Sequence, residues 1–203
     1  MRHGLAQLLR MEEGLEVCGE AGSAREGLAA VERLQPDVAI IDLTLPDKSG
    51  LDLLKDIHAM FPATRCLVLS MHDESLYGER ALRAGARGYI MKEAAADHLV
   101  SAVRKVLAGG IYVSDGMAAR MLEQMSGARG KGGAAGTDTL TDREIEILDM
   151  IGNGIATKMI AERLGISPRT VEAHRAHIKE KLGITDGAAL AKYAVQWVEG
   201  GKA

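Results

Sequence analysis

The sequence predicts an α/β domain built on a parallel sheet, followed by a smaller all-α domain. Three observations predict it. Apolar runs of strand length alternate with amphipathic helical stretches through the first half. The second half keeps helical patterning and loses the apolar runs. Between them SGARGKGGAAGTDT, residues 126–139, is dominated by glycine and has few apolar anchors, as a flexible linker would be. The expected organisation is therefore 1–125, a linker at 126–139, and 140–203.

In the first half LEVCGEA (Leu15–Ala21) reads as a short strand and Arg25–Leu34 as a helix. VAIIDL (Val38–Leu43) is a nearly all-apolar strand interrupted by an acid. Gly50–Met60 is helical, RCLVLSM (Arg65–Met71) a strand, Glu74–Ala84 a helix, ARGYIM (Ala86–Met91) a strand and Ala95–Ala108 a helix. Strands this apolar are buried on both faces, as in parallel sheets. Asp115–Met125 adds one helix before the linker. In the second half Thr141–Ile151, Thr157–Leu164, Pro168–Lys181 and Asp186–Val198 read as four helices, with glycine or a small polar residue at the breaks.

Composition narrows the class. The 203 residues are 47% hydrophobic and 26% charged, a globular balance. Aromatics make up only 3%, so aliphatic side chains and methionine must fill the core. A net charge of -3 means that nucleic-acid binding would need a local basic patch. Cys18 and Cys66 lie in separate apolar runs without ligand-like spacing. Both are expected to be buried thiols in a reducing compartment. No apolar run approaches membrane-spanning length, and MRHGLAQLLRMEEG is too polar for a signal peptide. The expected location is the cytoplasm, with no membrane partner.

AERLGISPRTVEAHRAHIKEKLGI, from Ala161, carries the first functional signal. Ser167 suits a helix N-cap, Pro168 the first turn, and Gly165 the break before them. Two short helices joined this way make a helix-turn-helix. Val171, Ile178 and Leu182 share an apolar face, and Leu164 joins them as core. Residues 167–181 hold 4 basic and 2 acidic side chains, a local excess of positive charge. The same residues also fit a packed helical hairpin with a solvated charged face. His174 and His177 read as packing or phosphate-side residues, because nothing near them in sequence completes a zinc set.

The whole stretch LTDREIEILDMIGNGIATKMIAERLGISPRTVEAHRAHIKEKLGI resembles the LuxR-type DNA-binding domain, from about Leu140 to Val198. That resemblance implies that the helix opening at Ser167 reads the major groove of an operator. Glu172, Ala173 and Ala176 are then groove-facing, with Arg169, Arg175 and Lys179 beside them and Ser167 and Thr170 at the helix start. Arg and Lys can bind phosphates, and Glu172 can accept from a cytosine amino group. The last helix is the expected dimer contact, so a homodimer on a two-part operator is implied.

The second signal lies at the predicted strand ends. Asp42 closes VAIID, Ser70 ends RCLVLS and Lys92 follows ARGYIM. α/β sheets place their sites at these carboxyl ends, so acid, hydroxyl and ammonium should converge there. Chance solvation of strand ends would give the same convergence. IIDLTLPDKSGLDLL, LVLS and GARGYIMKEA are similar to the receiver domain of two-component systems, over roughly residues 1–108. The implied fold is flavodoxin-like. The implied chemistry is phosphoryl transfer from a sensor histidine kinase to Asp42, with Ser70 and Lys92 on the phosphoryl oxygens and Tyr89 turning inward as a switch. Asp42 and the Thr44 carbonyl are the implied Mg²⁺ contacts. Receiver, linker and LuxR-type domain in this order resemble the NarL/FixJ class of response regulators, which are transcription regulators and not metabolic enzymes. No small-molecule signal is expected.

Against that family, the chain opens at the first helix. The usual first strand and the acidic pair that helps hold Mg²⁺ are not among these residues. The receiver is therefore expected to be N-terminally truncated in outline, and several origins stay open: a start upstream of Met1, a regulator that works without phosphorylation, a strand exchanged from another chain, or a decaying gene. The expected consequences are unpaired backbone or a closed-up sheet, a thin magnesium site and poor phosphorylation. Two functions follow. One is a phosphorylation-gated DNA-binding regulator; the other is a constitutive DNA binder whose receiver serves only for dimerisation.

Overall fold

The computed structural model describes residues 2–125 and 137–201, so most of the predicted linker lies outside the described residues. The chain divides into two compact units, Met1–Ala118 and Ala119–Ala203. The division falls inside the helix Asp115–Met125.

The first unit carries β1 (Val38–Ile41), β2 (Arg65–Ser70) and β3 (Ala86–Met91) in a parallel sheet of order β1-β2-β3. Around it lie α1 (Arg2–Arg10), α2 (Ala24–Leu34), α3 (Gly50–Met60), α4 (Glu74–Arg83), α5 (Ala95–Leu107) and α6 (Asp115–Met125). β2 is central and almost wholly buried, as its unbroken apolar run requires. Leu67, Leu69 and Ile90 pack with Leu99, Ala102 and Val106 of α5 in the core on one face. Helix starts follow local chemistry. The Ser23 hydroxyl accepts from the Glu26 N–H, and the Asp73 carboxylate from the Ser75 N–H.

The two sheet edges differ. Beside β3, Tyr112 exchanges backbone bonds with the Arg87 carbonyl and the Tyr89 N–H, which covers that edge. Beside β1 the structure corrects the sequence reading. Leu15–Ala21 is not a strand. A strand exists only through its ladder, and a cavity of about 730 Å³ stands between this segment and β1. Leu5, Leu9, Val17, Val31 and Ile40 line it. Residues of α1 and α2 line the space with β1. The apolar positions of Leu15–Ala21 do not by themselves make a strand, because no neighbour supplies a ladder.

A second correction concerns the thiols. Cys66 is buried on β2, and burial pushes its pKa up to about 12. Cys18 is exposed, since it lies on the segment that failed to pair.

The second unit is helical: α7 (Asp142–Gly152), α8 (Thr157–Leu164), α9 (Pro168–Leu182) and α10 (Gly187–Gly201). Thr141 and Glu144 form a reciprocal capping box at the start of α7. Ile145, Leu148, Ile160, Leu164, Val171, Ile178, Leu190 and Ala194 make a closed core with no exposure. Leu182 is only half-buried, at the rim of that core. No helix among the described residues is long and apolar enough to cross a membrane.

Candidate phosphoacceptor and DNA-reading sites

Parallel strands bring their carboxyl ends to one edge, and the sheet does so here. Asp42 follows β1, Ser70 ends β2 and Lys92 follows β3. Lys92 Nζ donates to Asp42 Oδ2 at 2.5 Å, across 50 residues of sequence. The Thr44 N–H donates to Asp42 Oδ1 at 3.1 Å. The Asp42 side chain stays 33% exposed, so a donor group can reach it, while Lys92 is 15% exposed. Ser70 is fully buried, and its Oγ accepts from the His72 N–H.

Sequence reasoning missed His72. Its ring bonds Thr44 Oγ1 at 3.1 Å and stacks on Tyr77 with centroids 4.5 Å apart. Its carbonyl accepts from the Tyr89 hydroxyl at 2.8 Å. His72 thus joins the loops after β1 and β2 to Tyr89 on β3. Tyr89 is buried. Asp47 was missed as well. Its two carboxylate oxygens accept from the N–H groups of Ala24 and Arg25, which open α2. Those two bonds, Arg25 first, hold its pKa below the usual aspartate range. They also fix the loop that follows Asp42. Only hindsight finds such a cap, since Asp in a turn before Gly is common.

Gly50 is demanded by close approach. A Cβ there would lie 2.0 Å from the Asp42 carbonyl oxygen. Glycine lets α3 begin directly against the strand end that presents the acid.

In the second unit, the turn before α9 closes as its residues dictate. Gly165 ends α8 in the left-handed region at φ 63°, and the Ser167 Oγ accepts from the Thr170 N–H at 3.1 Å. Val171 and Ile178 point into the core. Ser167, Arg169, Thr170, Glu172, Ala173 and Ala176 are exposed, and Arg175 and Lys179 are half-buried. Glu172 accepts from Thr157 Oγ1 at 2.9 Å and sits 3.6 Å from Arg175 Nε. Arg175 in turn donates to Thr157 Oγ1 at 3.2 Å. These bonds draw Arg175 back toward the start of α8.

The inner face of α9 is anchored by charge. Lys181 Nζ donates to the buried Glu144 at 2.6 Å. Burial raises the Glu144 pKa, but the bonds from Lys181 and Thr141 outweigh it and hold the carboxyl below its ordinary value. Arg143 donates to Glu146 and to the Leu164 carbonyl, tying α7 to the end of α8. Burial, then the Arg143 guanidinium, lowers the pKa of His174. Glu144 brings a third ligating group to His174 and His177, with all three atoms within 4.8 Å of one another.

Known proteins match both units. Residues 1–104 match the response regulator receiver domain, and residues 138–194 match the bacterial regulatory proteins of the luxR family. The chain belongs to the response regulators with a luxR-type DNA-binding domain. Similar proteins include the transcriptional regulatory protein UhpA of Salmonella typhimurium, 40% identical over 94% of this chain and 90% of its own length. The oxygen regulatory protein NreC of Staphylococcus carnosus is 37% identical over 97% and 92%. Among solved structures, a LuxR-family response regulator from Aurantimonas sp. is 31% identical, with TM-score 0.56, over 61% of this chain and 89% of that one. RcsB of Salmonella enterica serovar Typhimurium, bound to promoter rprA with the phosphomimetic BeF3-, shares the fold at TM-score 0.60 and 24% identity, over 96% and 92%. As a member of this family, the chain is a DNA-binding transcription regulator of two-component signalling.

Proposed function

We propose that Asp42 accepts a phosphoryl group from a sensor histidine kinase and that this gates operator binding by α9. The observation that carries the reading is the meeting of Asp42, Lys92 and Ser70 at one sheet edge. An Asp42 carboxylate oxygen would attack the phosphorus. The bond to the donor imidazole would break, and its electron pair would return to the ring nitrogen. Lys92 is placed to follow the charge from carboxylate to phosphoryl oxygens, with the Ser70 hydroxyl donating beside it. The new charge would pull on His72 through Ser70 and Thr44, and so on Tyr89.

Receiver domains typically bind Mg²⁺. The residues here fit that ion poorly. Both Asp42 oxygens already accept a bond, and no group of three ligating side chains includes Asp42 among the described residues. Asp42 and the Thr44 carbonyl are the contacts this chain offers, too few for an octahedral oxygen shell. Phosphorylation would accordingly be slow and weakly magnesium-dependent.

On DNA, two copies would occupy two half-sites, with α9 of each in a major groove. Ser167, Arg169, Thr170, Arg175 and Lys179 would hold phosphates, and Glu172, Ala173 and Ala176 would face base edges. A second reading is a constitutive binder. The thin magnesium site at Asp42 favours it.

The test treats the full chain with acetyl phosphate and Mg²⁺, reads its intact mass, and measures binding to duplexes selected from a random pool. One added phosphoryl group, absent from Asp42→Asn and accompanied by tighter binding, supports gating. Equal binding by treated, untreated and Asp42→Asn protein establishes the constitutive reading.

A further inference from the structure

We propose that Glu144, His174 and His177 form a binding site for a divalent transition metal of the zinc class, which fastens α9 to α7. His174 and His177 stand one turn apart on α9 and share a face. Glu144 comes from the first turn of α7, 30 residues upstream of His174. One ligand atom from each lies within 4.8 Å of the other two. Ligands at about 2.0–2.2 Å from a tetrahedral zinc ion stand roughly 3.4 Å apart, so small side-chain rotations close the set. Two imidazoles and a carboxylate are the donor types that zinc takes when a fourth position is left to water. His177 is exposed, so the ion has an entry path and room for that water.

Glu144 is held for the task. Lys181 Nζ and the Thr141 N–H both donate to Oε2, which fixes the carboxylate without filling its lone-pair sites. His174 is half-buried, and neither histidine makes a hydrogen bond or ion pair among the described residues. Lys181 and Arg143 are the positive groups that oppose the ion. They make the affinity adjustable: removing one should tighten binding. The site lies on the inner side of the helix whose outer side faces DNA. A bound ion would therefore stiffen the reading helix from behind, independently of phosphate on Asp42.

The experiment is calorimetric titration of the full chain with Zn²⁺, with cobalt(II) absorption as a check on coordination geometry. The expected result is one ion per chain with a tetrahedral cobalt spectrum. His177→Ala should weaken binding at least about tenfold while leaving the thermal midpoint of the ion-free protein unchanged, because that side chain is exposed. Lys181→Met should bind more tightly than wild type, which no adventitious surface site would show. Wild-type protein that takes up no zinc, or His177→Ala that binds as wild type does, overturns the proposal.

Discussion

Two lysine–carboxylate pairs of nearly equal length serve the two units in opposite ways. Lys92 and Asp42 meet at 2.5 Å on loops at the sheet edge, where the acid is 33% exposed. Lys181 and Glu144 meet at 2.6 Å between two helices, where the acid is 3% exposed. On the proposed function the first would be broken by an incoming phosphoryl group at little cost, because water and the new oxygens would replace the lost partner. The second cannot be broken without stranding a buried charge. Burial, more than distance, separates the two pairs. The same contrast runs through the packing: the receiver carries a cavity of about 730 Å³ beside β1, while the core of α7–α10 is closed.

The sharpest way to break that comparison is truncation of one side chain in each unit. Leu164→Ala in the closed core should cost about 3 kcal/mol, and Val17→Ala beside the cavity under about 1 kcal/mol. Calorimetry reads both losses, and fluorescence of Trp197, the only tryptophan, on α10, assigns the transition of the DNA-binding unit. Equal losses would show that the cavity wall is packed as tightly as the core.

Gly50→Ala comes next. Its methyl would meet the Asp42 carbonyl, and the repair should cost roughly 2 kcal/mol in the receiver and lower the rate of Asp42 phosphorylation. An unchanged melting curve would mean that the loop yields freely.

Lys181→Met should cost about 1–2 kcal/mol, and Lys92→Ala under about 1 kcal/mol, after allowance for their partial exposure. The pH dependence carries the same sign. Glu144 has a depressed pKa when folded, so its contribution is complete above the ordinary glutamate value near 4.5 and is lost as pH falls through the lower folded value. Acid titration of Trp197 fluorescence should show this loss, and Lys181→Met should shrink it. A transition identical in both proteins would remove Lys181 from the account.

The smallest effect is chemical. Cys18 should react with a thiol reagent in seconds to minutes, and Cys66 only on unfolding, since its thiol is buried with a pKa of about 12. Two equal rates would place β2 among the readily opened parts of the sheet.

Much of this was legible in one dimension. α3, α6, α8 and β3 fall where their periodicity and punctuation place them, because those signals are local. Asp42, Ser70 and Lys92 were legible because a parallel sheet has one carboxyl edge. Leu15–Ala21 was misread because strandhood belongs to a pair of segments. Cys18 was misplaced with it. His72 gave no signal, since it works through its backbone as much as its ring.

The sequence alone determined the elements, the polarity of the sheet, the capped turn into α9 and the family to which these motifs belong. Each depends on residues near one another in the chain. Only the tertiary structure decided that Lys92 closes on Asp42, that Arg175 is drawn back to Thr157, and that Glu144 meets His174 and His177. Those contacts join residues 50, 18 and 30 positions apart or more, and no local propensity specifies a distance between separate elements. Packing of the helices and strands sets it.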